Sequence, residues 1–188
     1  MIPIYEQGKG QGIGHSSRSF TERFEVLCAE HVQQGRARAF AFIFYDFLDR
    51  DFRRILKSQG VFAELDRMSD SDLSIFYLNA VTKLAVDRFN AEFMRRLGVN
   101  EDVQLPCVVF FRVADEKITN VAVAQLESAD LIHGFHELYS VIQRYLTEDL
   151  AETPIEQSKY LRWFRSGLKF ISLEAFKAGL KHAIQAIF

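Results

Sequence analysis

The stretch RARAFAFIFYDF, residues 36–47, constrains the fold more than any other part of the chain. It is aromatic and β-branched with no turn residue, and its apolar side chains do not alternate with polar ones. A strand of this kind must be covered on both faces, which calls for a sheet with helices above and below. LSIFYLNA, residues 73–80, is a second run of the same character. Between and around these runs the apolar residues fall at helical spacing. One helix is expected over about 21–34, with Phe24, Leu27, Cys28 and His31 on one face and Gly35 at its end. Another starts near Asp49 and is interrupted near Gly60. A third covers 82–99, with Leu84, Phe89, Phe93 and Leu97 as anchors and Gly98 as its stop. VQLPCVVFFRV and ITNVAVAQL then read as two strands joined by the polar turn ADEK, 114–117, so they should pair as a hairpin. SAD caps a last core helix over 131–146, whose apolar face is Leu131, Phe135, Leu138, Ile142 and Tyr145.

Strands alternating with helices predict parallel pairing, and the closing hairpin adds an antiparallel edge. The 188 residues suffice for one domain with a full core plus an extension, and the 18 phenylalanines supply an unusually large apolar payload. The net charge of −2 provides no global attraction to nucleic acid. Charge is nevertheless uneven. Residues 155–188 carry six Lys/Arg against Glu156 and Glu174, while the acidic excess lies in 21–154. Two cysteines, Cys28 and Cys107, make no disulfide framework and fit a reducing compartment. The N-terminus lacks the pattern of a secretory signal, and no apolar stretch approaches the roughly 20 residues of a membrane span. The expectation is a cytoplasmic protein.

Pro106 opens the strand that follows it, a position where a missing N–H does no harm. LPCVVFFRVADEKITNVAVAQLESADLIHGFHELYSVIQRYL, with the preceding order of elements, resembles the thioredoxin-like superfamily over roughly Thr21 to Leu146. The resemblance implies an α/β sandwich with a four-stranded mixed central sheet flanked by helices. It also implies a cis bond before Pro106, in a loop that presents backbone groups to a peptide or thiol. Redox members carry Cys-x-x-Cys at the start of the helix after the first long core strand. In this chain Asp49, Arg50, Asp51 and Phe52 stand there, and no cysteine lies within twenty residues of Leu48. Dithiol exchange needs an attacking and a resolving thiol, so ordinary oxidoreductase work is not expected.

Other candidate features are weaker. Cys107 is either a lone reactive thiol or a small buried residue at a strand start, and burial is the expected state. GKGQGIG, with glycines at 8, 10, 12 and 14, lacks the strand before it and the Lys-Ser/Thr after it that a phosphate loop needs. Residues 1–20 are therefore read as a flexible arm. His133, His136 and Glu137 sit on the polar side of a helix without an evident further ligand, so no metal or other cofactor is expected. No serine lies in a nucleophile elbow.

Residues 148–188 are expected to form a two-helix extension, with helices at about 155–166 and 172–186. Trp163, Phe164, Phe176, Leu180 and Ile184 would be its interface residues. Peripheral membrane contact through this basic amphipathic end is a minor alternative. The leading expectation is a non-catalytic interaction module that binds a protein partner or self-associates. Its binding residues would be Asp49, Arg50, Asp51, Phe52, Leu105, Pro106 and Cys107. The alternatives are a single-thiol redox or transferase enzyme centred on Cys107, and a structural homodimer without a ligand.

Overall fold

The structure is a computed structural model that describes residues 2–5, 26, 30, 33–34, 39–57, 65, 67, 72–114, 117–147, 158–165, 170–172, 174–176 and 178. Its strands are β1 (Ile2–Tyr5), β2 (Ala39–Phe44), β3 (Leu73–Asn79), β4 (Cys107–Ala114), β5 (Lys117–Leu126), β6 (Leu161–Arg165) and β7 (Phe170–Ser172). Its helices are α1 (Arg50–Lys57), α2 (Lys83–Arg96) and α3 (Leu131–Leu146). The strands form one sheet in the order β1-β3-β2-β4-β5-β6, with β7 also on β5. β3 pairs in parallel with β1 and with β2, and the pairings β2–β4, β4–β5, β5–β6 and β5–β7 are antiparallel.

Strand β2 shows why the sheet is covered on both sides. Its Phe40, Phe42 and Phe44 share one face by the two-residue period, while Ala41 and Ile43 point the other way. All six residues of β2 are buried. Phe42 meets Phe76 and Phe93 at ring-centroid distances of 5.3 Å, and Phe111 at 5.8 Å. Phe89 of α2 lies 5.6 Å from Phe44, so α2 packs on this aromatic face. The opposite face takes α1 and α3. There Phe52 stacks between Tyr45 and Phe135 at 5.6 and 5.9 Å. Phe110 likewise meets Tyr145 at 5.2 Å and Trp163 at 5.8 Å. The many phenylalanines thus fill two aromatic layers, one on each side of the sheet.

Local signals end the helices where the chain needs to turn. Thr82 caps α2 by accepting from the Ala85 N–H at 3.3 Å. At its other end Gly98 has φ of 66°, with Gly98 N–H bonding Arg95 C=O and Val99 N–H bonding Met94 C=O. This is the paired closing motif in which only glycine sits without strain. The anchor assignment on α2 needs one correction: Leu84 is 58% exposed, and the buried positions are Ala85, Val86, Phe89, Asn90 and Phe93. At 100° per residue Leu84 lies about 140° round the helix from Phe89, on the outer side.

The hairpin β4–β5 forms as expected, with Ala114 opposite Lys117. Between Phe110 and Arg112 its register shifts, so that two β5 residues oppose Phe111. Asn120, one of the two, has φ of 52°, a conformation asparagine tolerates better than most residues. This bulge divides the outer side of β5. β7 pairs with Lys117–Thr119 and β6 with Ala122–Leu126.

Three expectations about the ends of the chain are overturned. Ile2–Tyr5 is not a free arm but a strand beside β3, with Ile4 only 1% exposed. Within the expected helix over 155–166, Leu161–Arg165 is instead the edge strand β6, while 155–157 and 166 lie outside the described residues. LRWFR places Leu161 and Trp163 inward and Arg162 outward, a period of two rather than 3.6. Among the described residues the sheet therefore has seven strands rather than four, and Leu161–Arg165 and Phe170–Ser172 join it rather than standing apart as a helical extension. Helical residues do follow at 174–176 and 178, after Ser172, whose hydroxyl accepts from the Ala175 N–H. The remainder of the expected last helix lies outside the described residues, as do the glycine run 8–14 and Cys28.

Candidate functional site at the carboxyl end of the parallel strands

Parallel neighbours β2 and β3 send their following helices to opposite faces of the sheet. α1 goes to the face of α3, and α2 to the aromatic face. In open α/β sheets a crevice opens where the connections part in this way, outside the carboxyl ends of the strands. The antiparallel partner β4 begins at this same end, since Phe44 is paired with Cys107. The site is thus built from the turn 45–49, the start of α1, the segment 80–84, and the corner 103–107.

Asp49 organises the first of these pieces. Its Oδ1 accepts from the Phe52 N–H at 2.9 Å, capping α1, and its Oδ2 accepts from the Ser128 hydroxyl at 2.7 Å. Ser128 lies just beyond the end of β5, so one carboxylate ties two connections together. The Asp46 side chain accepts from the Leu48 N–H at 2.8 Å and shapes the turn before α1. Arg53 lays its guanidinium 3.9 Å above the Phe47 ring and donates to the Phe47 carbonyl at 3.3 Å. Asn90, buried on α2, donates to the Tyr45 carbonyl at 2.8 Å, and Tyr45 donates its hydroxyl to Leu78 C=O at 2.8 Å. Both connections are therefore pinned to the sheet from beneath.

The corner on β4 is equally well held. The Leu105–Pro106 peptide bond is cis. The Pro106 carbonyl accepts from the Leu126 N–H at 2.9 Å, and the Gln104 N–H donates to the side chain of buried Gln125 at 3.0 Å. Leu105 stays half-buried at the surface, while Pro106 is buried.

Of the residues expected to bind, this arrangement brings Asp49, Arg50, Asp51, Leu105 and Pro106 to one end of the sheet. Arg50 and Asp51 are exposed, and Asp51 pairs with Arg54 at 3.4 Å. Three of the seven are buried, Pro106 at the corner itself and two others in the core. Phe52 is 0% exposed and anchors α1 to the core. Cys107 is also 0% exposed, between Phe44 and Gln125 in the middle of the sheet. Burial pushes its thiol up to about 12, the reverse of what an attacking thiolate needs. Two of the expected interface residues are likewise internal. Trp163 packs on Phe110 and Tyr145, and Phe176 lies 5.9 Å from Phe111. The side chains of Phe164, Leu180 and Ile184 lie outside the described residues.

His133 is exposed and hydrogen-bonds Asp130 at 2.8 Å, which holds the Asp130 carboxyl below its ordinary value. Its ring also stacks on Tyr160 at 4.9 Å. Glu137 accepts a hydrogen bond from Ser158. These side chains fasten the entry to β6 onto α3. Glu127 N–H adds a bond to the Tyr160 carbonyl at 2.8 Å.

Sequence reasoning missed Leu48, Val81, Leu84 and Ser128 as members of this end. Leu48 is 65% and Val81 67% exposed, beside the exposed Leu84. Among the described residues five large apolar side chains are exposed, and these are three of them. The Lys83 ammonium, hydrogen-bonded to Asp87, is held above its ordinary pKa by that bond and further by Asp46. Lys83 thus lies within electrostatic range of the turn that carries Leu48. No family model, curated protein or solved structure matches the chain.

Proposed function

We propose that this chain is a thioredoxin-like domain without redox chemistry, and that it holds a protein partner at the carboxyl end of β2 and β3. The observation that carries the reading is the junction itself. Two parallel strands part there, and the helix start facing the junction bears Asp49-Arg50-Asp51 where a redox member would carry its cysteines. The order β-α-β-α-β-β-α from Ala39 to Leu146, with a parallel pair and an antiparallel hairpin, is the arrangement the family resemblance implies. Asp49 spends both oxygens on a helix cap and on Ser128, which makes it a structural tie rather than an acid or base. The burial of Cys107 weighs against the single-thiol enzyme. The exposed apolar residues at the junction favour a binding surface.

A photo-crosslinking amino acid placed at position 48 tests this reading, with exposed Tyr139 on α3 as the control position. In cells making the full chain, position 48 should yield a discrete covalent adduct with another protein and position 139 should not. Equal adduct patterns at both positions would refute it.

A further inference from the structure

We propose that the edge strand β6 is a releasable strap, and that the strip of β5 beneath it takes an extended strand of a partner protein bearing two large apolar residues at alternate positions. This goes beyond the interaction reading above, which concerns the β2–β3 junction. The entry to β6 is held by a clasp of polar contacts. The Ser158 hydroxyl accepts from the Tyr160 and Leu161 N–H groups at 2.9 and 3.0 Å and donates to Glu137 of α3. The Tyr160 ring stacks on His133, which is tied to Asp130, and the Lys159 ammonium stands 4.6 Å from the same ring's centroid. The Tyr160 carbonyl accepts from the Glu127 N–H at 2.8 Å. Gly134 completes the clasp. It sits inside α3, where glycine is a poor helix former and alanine the best. A Cβ there would stand 3.3 Å from the Tyr160 carbonyl oxygen, so α3 forgoes helix stability where the strap crosses it closely.

The strand itself shows what the strip accepts. Among the described residues, Ala122–Leu126 of β5 pair on their outer side with β6 alone. Leu161 lies opposite Leu126 and Trp163 opposite Ala124, and opposed residues share a face of the sheet. Both are buried, Trp163 against Phe110 and Tyr145, while Arg162 between them is exposed. The small Ala124 side chain leaves room for the indole. Lifting the strap uncovers this apolar slot together with the backbone N–H and C=O groups of β5. Those are the two elements by which an extended segment adds to a sheet edge, main-chain bonds for affinity and side-chain pockets for specificity. An edge strand whose entry is tied by surface side chains opens at lower cost than the inner sheet. The closed strap is thus an internal competitor for the partner strand, and the clasp sets how strongly it competes.

The test combines amide hydrogen exchange with peptide binding, on the full chain and on two clasp variants, His133→Ala/Glu137→Ala and Gly134→Ala. Every substitution places alanine in α3, so the helix is kept while the clasp is loosened. Amides of β6 should exchange about tenfold faster in the double variant than in the native protein, and those of β2 and β4 at unchanged rates. A fluorescein-labelled peptide SKYLRWFR, the sequence of residues 158–165, then probes the strip by anisotropy. It should bind the double variant about tenfold more tightly than the native chain, because its internal competitor is weakened. The same peptide carrying Leu161→Ser and Trp163→Ser should not bind. Gly134→Ala should act in the same direction on both readouts. Amides of β6 that exchange no faster in either variant would overturn the strap. Faster exchange without peptide binding, or equal binding of the serine peptide, would overturn the strip as a strand site. A concentration-dependent dimer of the clasp variants would identify a second copy as the occupant and overturn the partner protein.

Discussion

Cys107 provides the sharpest quantitative prediction. Its thiol lies at the start of β4, flanked by Phe44 and Gln125, and burial raises its pKa from 9.0 to about 12. At neutral pH this rise cuts the thiolate population about a thousandfold relative to an ordinary thiol. Alkylation by iodoacetamide in native buffer, resolved by site with mass spectrometry, should therefore label Cys107 at least a hundredfold more slowly than a free thiol. Urea should abolish the difference. The same rise has a stability consequence. Above about pH 9 the unfolded chain sheds this proton while the folded protein keeps it until about 12. The folded state then binds more protons, so stability is fully present below pH 9 and falls as pH rises. The slope from this one group is about 1.4 kcal/mol per pH unit in that window. Comparing the protein with Cys107→Ala by urea denaturation between pH 8 and 11 isolates it, because other titrating groups are common to both. The alanine variant should lose less stability across the range. Native labelling at the rate of a free thiol, or identical pH slopes, would refute the burial argument and restore the thiol enzyme as a reading.

Other substitutions probe the frame around the junction. Asp49→Ala should cost about 0.5–2 kcal/mol in urea denaturation through loss of the α1 cap. A double-mutant cycle with Ser128→Ala should show coupling, since the two side chains share one hydrogen bond. Gly98→Ala should cost about 1–2 kcal/mol, because its φ of 66° disfavours any side chain. Phe42→Ala should cost about 3–5 kcal/mol, the range for an aromatic removed from a closed core. Trp163 is the sole tryptophan and lies against Phe110 and Tyr145, so its emission should be blue-shifted in the native protein and resist iodide quenching. An exposed emission spectrum would contradict the placement of β6 in the sheet.

Much of the inner fold was legible in the sequence because its signals are local and redundant. The runs at β2 and β3 are too apolar for any place but a covered sheet, and the Asp130 cap marks a helix start directly. The ends were not legible for physical reasons. IPIY is four residues with a proline, and only its pairing with β3 makes it a strand. LRWFR is too short for its period to separate strand from helix, and the long β5 beside it decides the matter. The candidate site was half visible. The Asp49 helix start and the Pro106 corner could be marked from residue types alone. Phe52 was misplaced because the third helical position after the Asp49 cap points into the core, so neighbours in sequence divide between surface and interior. The exposure of Leu48, Val81 and Leu84 depends on two connections leaving opposite faces of the sheet, which no local pattern records.

Strand order is the premise beneath the junction, the surface and the partner. Interstrand nuclear Overhauser effects on isotopically labelled protein test it most directly. The expected pattern links the Phe42 backbone to Phe76 in a parallel register and to Val109 in an antiparallel one, with ring contacts from Phe93 on one face and Phe52–Phe135 contacts on the other. Contacts that instead put β3 beside β4, or both helices on one face, would contradict the account.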